Sequence, residues 1–248
     1  MLGTAGAGKS LLTAAFSDWL KISKQDVSIV NLDPGALKLP YSPDVDIRDY
    51  VSVEELMEKH GLGPNGALVV AADMIADQVE ELAREVEELQ SDVILVDTSG
   101  QLELFAFRAS GPYIVHELTK ENRALVYLFD AVFCTNPMNF VSNLFLSAAI
   151  QSRFLVPQIQ ILSKCDLLPA EEINRIVDWS ANPKMLDEGL ESKLDGDKLV
   201  LSRNVTRAIQ RAGLKTLLTP VSAKTNEGII ELNTMLERTL ASGDKYTY

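Results

Sequence analysis

The sequence predicts an α/β fold: a mostly parallel central sheet with helices on both faces. Three observations carry this. Strand-length apolar runs at 27–33, 93–97, 124–130 and 157–162 alternate with segments of helical periodicity. The runs at 93–97 and 124–130 are apolar up to their closing carboxylate, as strands covered on both faces are. Polar, turn-forming residues follow each run at once, and the carboxyl ends of strands are where such sheets bind ligands. A chain of 248 residues that is 46% apolar is long enough for a sizeable core, and the expectation is one domain over 1–248.

The charge balance narrows the function. A formal net charge of -12 argues against direct nucleic-acid binding. No window of eighteen or more apolar residues suggests a membrane span. No charged n-region followed by an apolar h-region opens the chain, so no signal peptide is expected. The two cysteines, Cys134 and Cys165, form no metal-ligand pattern, and a cytoplasmic, reduced protein fits them.

In chain order, Leu11 to about Lys24 reads as a helix, and Val27–Asp33 as a strand closed by the turn Asp33-Pro34-Gly35. Leu39-Pro40-Tyr41-Ser42-Pro43 is loop, since its prolines interrupt any ladder. Ser52 caps a short helix over 53–60, with Glu55 completing a capping box. The cluster Gly61-Leu62-Gly63-Pro64-Asn65-Gly66 reads as turn. Ala67 to about Gln90 reads as one long helix whose glutamates face solvent. Strand 93–97 follows, then loop and helix from Arg108 to about Thr119, strand 124–130, a helix over 143–154 and strand 157–162. Residues 167–213 are polar and helical, an embellishment of the domain. A strand over 217–221 and a helix over 228–240 close the fold.

The chemistry starts at Gly3-Thr4-Ala5-Gly6-Ala7-Gly8-Lys9-Ser10, a G-x-x-x-x-G-K-S phosphate-binding loop. Glycines let successive N–H groups point inward at phosphate oxygens. Here Gly3, Gly6, Ala7, Gly8, Lys9, Ser10 and Leu11 form the nucleotide-binding set. Lys9 reaches the β- and γ-phosphates, and the Ser10 hydroxyl binds Mg²⁺. This makes the chain a three-layer P-loop NTPase. A strand directly after the first helix runs parallel to its predecessor, which selects the signal-recognition/MinD-like branch. Only Met1 and Leu2 precede the loop, so a few apolar residues are expected upstream of Met1 in the natural protein.

Asp97-Thr98-Ser99-Gly100-Gln101 ends a strand. Asp97 is placed to hold the water shell of Mg²⁺, the Gly100 N–H to meet the γ-phosphate, and Gln101 to orient attacking water. Ser163-Lys164-Cys165-Asp166 is the specificity signal. The Asp166 carboxylate can accept from the N1–H and exocyclic amine of guanine, a pair adenine lacks, while the Lys164 stem lies along the base. Ser163 stands where the common form of this motif has Asn. Ser222 and Ala223, one strand later, can present N–H groups to the guanine carbonyl.

These motifs resemble the GPN-loop GTPases, named for the tripeptide found here as Gly63-Pro64-Asn65. The resemblance extends to Asp33-Pro34 with Pro40-Tyr41, to Asp97-Thr98-x-Gly100-Gln101 with Glu103, and to Ser-Lys-x-Asp, so it runs the length of the chain. Departures are Gly35, Ser99 and Ser10, where the family often has Ala, Pro and Thr. The resemblance implies an Mg²⁺-dependent hydrolase of GTP and a homodimer joined through its nucleotide-facing surface. Asn65 would reach the partner's nucleotide. Asp33 would position or activate water, with Gln101 and Glu103 in support. It further implies an assembly or switch role, with an RNA polymerase subunit as the first partner to test. Two alternatives stand beside this: a P-loop kinase, and an assembly chaperone in which hydrolysis is secondary.

Overall fold

The computed structural model describes residues 1–118, 122–214 and 216–241. The chain divides into two compact units, residues 1–123 and 124–241.

The first unit contains β1 (Leu2–Gly3), α1 (Lys9–Ile22), β2 (Val27–Leu32), β3 (Val45–Asp46), α2 (Val53–His60), α3 (Pro64–Asp77), α4 (Val79–Glu88), β4 (Val93–Thr98), α5 (Leu102–Phe105) and α6 (Ser110–Leu118). Strands β3, β2 and β4 are adjacent in that order and parallel. The β2–β4 register pairs Asn31 with Asp97 and Leu32 with Thr98. Asp33 and Ser99 therefore leave the sheet side by side. Every residue of β2 is buried, which is why its sequence shows no alternation. Leu2 is buried, the Met1 amino group donates to the Val96 carbonyl at 2.7 Å, and Thr98 Oγ1 donates to the Met1 carbonyl at 2.8 Å. The start of the chain thus lies along the end of β4.

The helix over 53–60 forms as expected, with the Glu55 N–H donating to Ser52 Oγ at 3.2 Å. Two readings are corrected. The Gly63-Pro64-Asn65 stretch is not a turn but the opening of α3, with Gly63 as N-cap and Pro64 in the first turn. Proline suits that position because its fixed φ is helical and its missing N–H would have no partner there. The segment after it is not one helix: it breaks at Gln78, whose φ of −97° and ψ of 0° separate α3 from α4. The break accompanies a change in the spacing of the buried residues. Ala67, Ala71, Ile75 and Val79 follow at steps of four, and each step advances the apolar row by about 40° around a helix of 3.6 residues per turn. In α4 the buried residues are Val79, Leu82 and Val86, spaced by three and four.

The second unit contains β5 (Leu125–Asp130), α7 (Ala131–Cys134), α8 (Pro137–Phe154), β6 (Gln158–Ser163), α9 (Ala170–Ala181), α10 (Pro183–Glu191), α11 (Gly196–Arg211), β7 (Thr219–Pro220) and α12 (Ile229–Ala241). Strands β5, β6 and β7 are parallel neighbours. Helix α8 starts six residues before the expected 143, where Asn136 Oδ1 accepts from the Met138 N–H and Pro137 opens the first turn. The strand expected over 217–221 shortens to two residues. Tyr127, Phe129, Phe140 and Phe154 fill the core, and the Tyr127 hydroxyl donates to Asn143 Oδ1 at 2.7 Å. Residues 167–213 hold three helices, with Trp179 packed at 5.9 Å from Phe140. No helix among the described residues is long and apolar enough to cross a membrane.

Candidate nucleotide site

In the first unit the loop between β1 and α1 turns on glycines. Gly6 (φ 74°) and Gly8 (φ 94°) sit in the left-handed region, where a side chain is strained, and Gly8 is the N-cap of α1. Lys9 is 5% exposed, and its Nζ donates to the carbonyls of Gly3 (3.1 Å) and Thr4 (3.2 Å). Burial pulls its pKa below the ordinary lysine value, against the opposing charges of Asp97 and Asp33. Ser10 lies in the first turn of α1, and Leu11 beside it is half exposed.

Asp97 is wholly buried. Its Oδ2 accepts from the Tyr41 hydroxyl at 2.7 Å, while its Oδ1 is buried without any hydrogen bond. Tyr41 is in turn held far above its usual pKa by burial and by the Asp97 charge, so it stays a donor. A buried carboxylate oxygen with no protein donor is costly unless something outside the chain engages it. This donor set suits magnesium, which takes one or two protein oxygens and keeps its waters.

Asp33 follows β2 directly. Its Oδ1 accepts from the Gly35 N–H at 3.0 Å. Burial pushes its pKa up, joined by the Asp97 charge; the Gly35 and Gly100 N–H groups and Lys9 pull the other way. Asn31, fully buried, fixes the start of this loop. It accepts from the Asp33 N–H at 3.0 Å, and its amide donates to Asp46 at 2.9 Å. Arg48 grips Asp46 with two nitrogens and donates to the Ala36 carbonyl at 2.9 Å, so it braces the Asp33 loop. A Cβ added at Gly100 would stand 3.8 Å from Lys9 Nζ and 3.5 Å from Ala5 Cα. Lys9, Asp33, Asp97 and Gly100 therefore converge. Gln101 stands at the N-cap position of the short α5 without a side-chain capping bond, and Glu103 is exposed in its first turn. Gly63, Pro64 and Asn65 are exposed at the start of α3. Further along α3, Asp73 pairs with Arg108.

The second unit holds the predicted base-recognition residues. Ser163 is buried and its hydroxyl donates to the Phe129 carbonyl at 3.0 Å, so here it secures β6 to β5. Lys164 is left-handed (φ 61°), an uncommon state for a non-glycine residue, and its Nζ meets Asp130 Oδ2 at 2.6 Å. Asp130 Oδ1 meanwhile accepts from the N–H groups of Val132 and Phe133. Asp166 is exposed and accepts at Oδ1 from the buried Ser222 hydroxyl at 2.8 Å. Ser222 Oγ also accepts from the Lys224 and Thr225 N–H groups, and Ala223 is half-buried beside it.

Sequence reasoning assigned no role to four side chains that hold these groups: Asn31, Asp46, Asp130 and, beyond its place in the Pro-Tyr pair, Tyr41. Asp130 carried a signal, as the carboxylate that closes the apolar run 124–130.

A family model described as a conserved hypothetical ATP binding protein matches residues 1–242. The chain is 33% identical over 242 residues to the GPN-loop GTPase PAB0955 of Pyrococcus abyssi, covering 94% of this chain and 93% of that one. The chain belongs to the GPN-loop GTPase family. Dictyostelium discoideum GPN-loop GTPase 1 is 36% identical over 171 residues, and this chain spans 43% of its length. The crystal structure of PAB0955, titled a GTPase in apo form, aligns with a TM-score of 0.86 at 32% identity, covering 96% of this chain and 95% of that one. The α/β P-loop class expected from the sequence is thus the fold of this GPN-loop relative.

Proposed function

We propose that this chain hydrolyses GTP to GDP and phosphate and acts as a magnesium-dependent homodimeric switch. The observation that carries the hydrolytic reading is the convergence of Lys9, Asp33, Asp97 and Gly100, with one Asp97 oxygen buried and unbonded. Lys9 and the loop N–H groups hold the phosphates. Ser10 and Asp97 would hold magnesium, which neutralises charge on the phosphate oxygens. Asp33 positions the attacking water and takes its proton as the water oxygen bonds to the γ-phosphorus and the bond to GDP breaks. Gln101 helps orient the water, with Glu103 in support. Burial supports Asp33 in this role, because a carboxylate pushed upward is a better base.

The family description speaks of ATP, whereas the relatives are named GTPases. The chemistry of the second unit favours guanine: a carboxylate at Asp166, oriented by Ser222, suits a paired donor edge that adenine does not have. Phosphate release from GTP and from ATP, with wild type and Asp166→Ala, tests this. Wild type is expected to favour GTP, and the variant to lose GTP turnover more than ATP turnover. Equal turnover of both by wild type overturns the guanine assignment, and phosphate transfer only with an added acceptor favours the kinase reading.

The dimer and partner proposals rest on the family resemblance together with the exposed Gly63-Pro64-Asn65 opening of α3. In mixed dimers, Asn65→Ala in one protomer should slow hydrolysis in the other; a purely local effect overturns the trans-acting loop. A role in RNA polymerase biogenesis predicts capture of a polymerase subunit by only one of the GTP- and GDP-bound forms.

A further inference from the structure

Asp97 presents an asymmetric carboxylate. It has no exposed surface, one oxygen carries a 2.7 Å hydrogen bond from Tyr41, and the other carries none. The donor comes from a distant part of the chain, 56 residues earlier. Tyr41 sits between Pro40 and Pro43 in the irregular segment that joins Asp33 to β3. Both prolines fix φ and so limit the conformations this segment can take. It is fastened at both ends as well. Asn31 and the Gly35 N–H hold it at Asp33, and the Asp44 N–H donates to the Ile29 carbonyl at 2.8 Å.

A carboxylate free to rotate offers either oxygen, or both, to an incoming cation. One with Oδ2 already bonded offers only Oδ1, in one direction. We propose that Tyr41 is the positioning residue that orients Asp97, leaving a single, pre-aimed oxygen for the magnesium shell. The inference rests on the magnesium-dependent reading above. It adds that the hydroxyl of Tyr41, and not the ring, sets the metal affinity. Partners that orient a metal-binding carboxylate in this way typically change metal affinity by about 10–100-fold when removed.

Tyr41→Phe deletes only the hydroxyl. The readout is the release rate of a fluorescent GDP analogue, measured across a magnesium titration and in EDTA, so it does not depend on hydrolysis. For wild type, magnesium should slow release. For Tyr41→Phe, the release rate in EDTA should match wild type within about twofold, while the magnesium needed for half-maximal slowing rises about 10-fold. Tyr41→Leu, which also removes the ring, serves as the second variant. It should show the same magnesium shift, with an added change in EDTA if the ring anchors the segment. Identical magnesium curves for wild type and Tyr41→Phe overturn the proposal. An equal change in EDTA and in magnesium overturns it too, because Tyr41 would then merely hold the loop. A wild type whose release ignores magnesium overturns both this inference and the magnesium-dependent reading beneath it, a result distinct from the other two.

Discussion

The polar groups of residues 1–123 and those of residues 124–241 are arranged differently. In the first unit Lys9 and Asp97 are buried, one Asp97 oxygen has no hydrogen bond, and burial drives the Lys9 and Asp33 pKa values in opposite directions. In the second unit the corresponding groups are bonded in pairs: Ser163 to Phe129, Lys164 to Asp130, Ser222 to Asp166. The difference follows from the tasks proposed for them. Charge that must act on a transferring phosphoryl group works best where water is excluded, so its desolvation is borne by the fold. Base recognition needs donors and acceptors held in register, and it operates at an exposed carboxylate. The first unit should therefore tolerate neutralising substitutions in stability while losing chemistry. The second should lose affinity and selectivity in modest steps.

The largest effect is expected at Asp97. Asp97→Asn keeps the shape and an acceptor for Tyr41 but removes the charge proposed to face magnesium. Hydrolysis should fall about 10³-fold, since such stabilisation amounts to several kcal/mol. Nucleotide binding in EDTA should persist, as fluorescent-analogue titration would show. Loss of binding in EDTA would mean that Asp97 is structural.

Asp33→Asn should lower hydrolysis about 100-fold, the range for removing a general base. It should also stabilise the protein. The folded state raises the Asp33 pKa, so it favours the protonated form. The resulting penalty is absent below the ordinary carboxylate pKa of about 3.9, grows as pH rises through the raised value, and is full above it. The variant's Tm should then exceed that of wild type at pH 7.5. The gap should close toward pH 4. A variant less stable than wild type at pH 7.5 would break the contrast between the two units.

What the sequence revealed was local. Strands β2 and β5 were legible because burial leaves largely apolar runs, β4 because Val93–Val96 is apolar up to Asp97, and the 53–60 helix because Ser52 and Glu55 signal its start. The phosphate loop, Asp97 and the Lys164–Asp166 motif were legible because each is a short pattern tied to a strand end. The start of α3 was misread because Gly-Pro-Asn-Gly is turn chemistry unless a helix follows, and context decides which. The break at Gln78 was missed because neither glycine nor proline marks it. The supporting groups were hidden by distance: Tyr41 reaches Asp97 across 56 residues and Lys164 reaches Asp130 across 34. Only the folded register brings them together.

In the second unit, Ser222→Ala removes one donor to Asp166 and the acceptor for two N–H groups. A hydrogen bond to a charged group is worth about 1.5 kcal/mol, so the ratio of GTP to ATP kcat/KM should fall about 10-fold. An unchanged ratio with a lowered Tm would make Ser222 a turn anchor only.

The smallest effect is expected at Asp130, and it separates two jobs of one side chain. Asn is as good an N-cap as Asp, so Asp130→Asn should keep the bonds from the Val132 and Phe133 N–H groups that start α7. It loses only the charge that pairs with Lys164. That pair is partly exposed, at 32% for Lys164 and 17% for Asp130, which limits its worth to about 1 kcal/mol. The expected result is a KM for GTP raised about fivefold with kcat and Tm unchanged, because a lysine lying along the base contributes equally to ground state and transition state. Asp130→Ala removes both jobs and should lower Tm as well. If Asp130→Asn lowers kcat instead, the lysine acts on the chemistry and the division of labour between the two units fails. If it leaves KM alone, the strained backbone of Lys164 holds the side chain in place without its carboxylate partner.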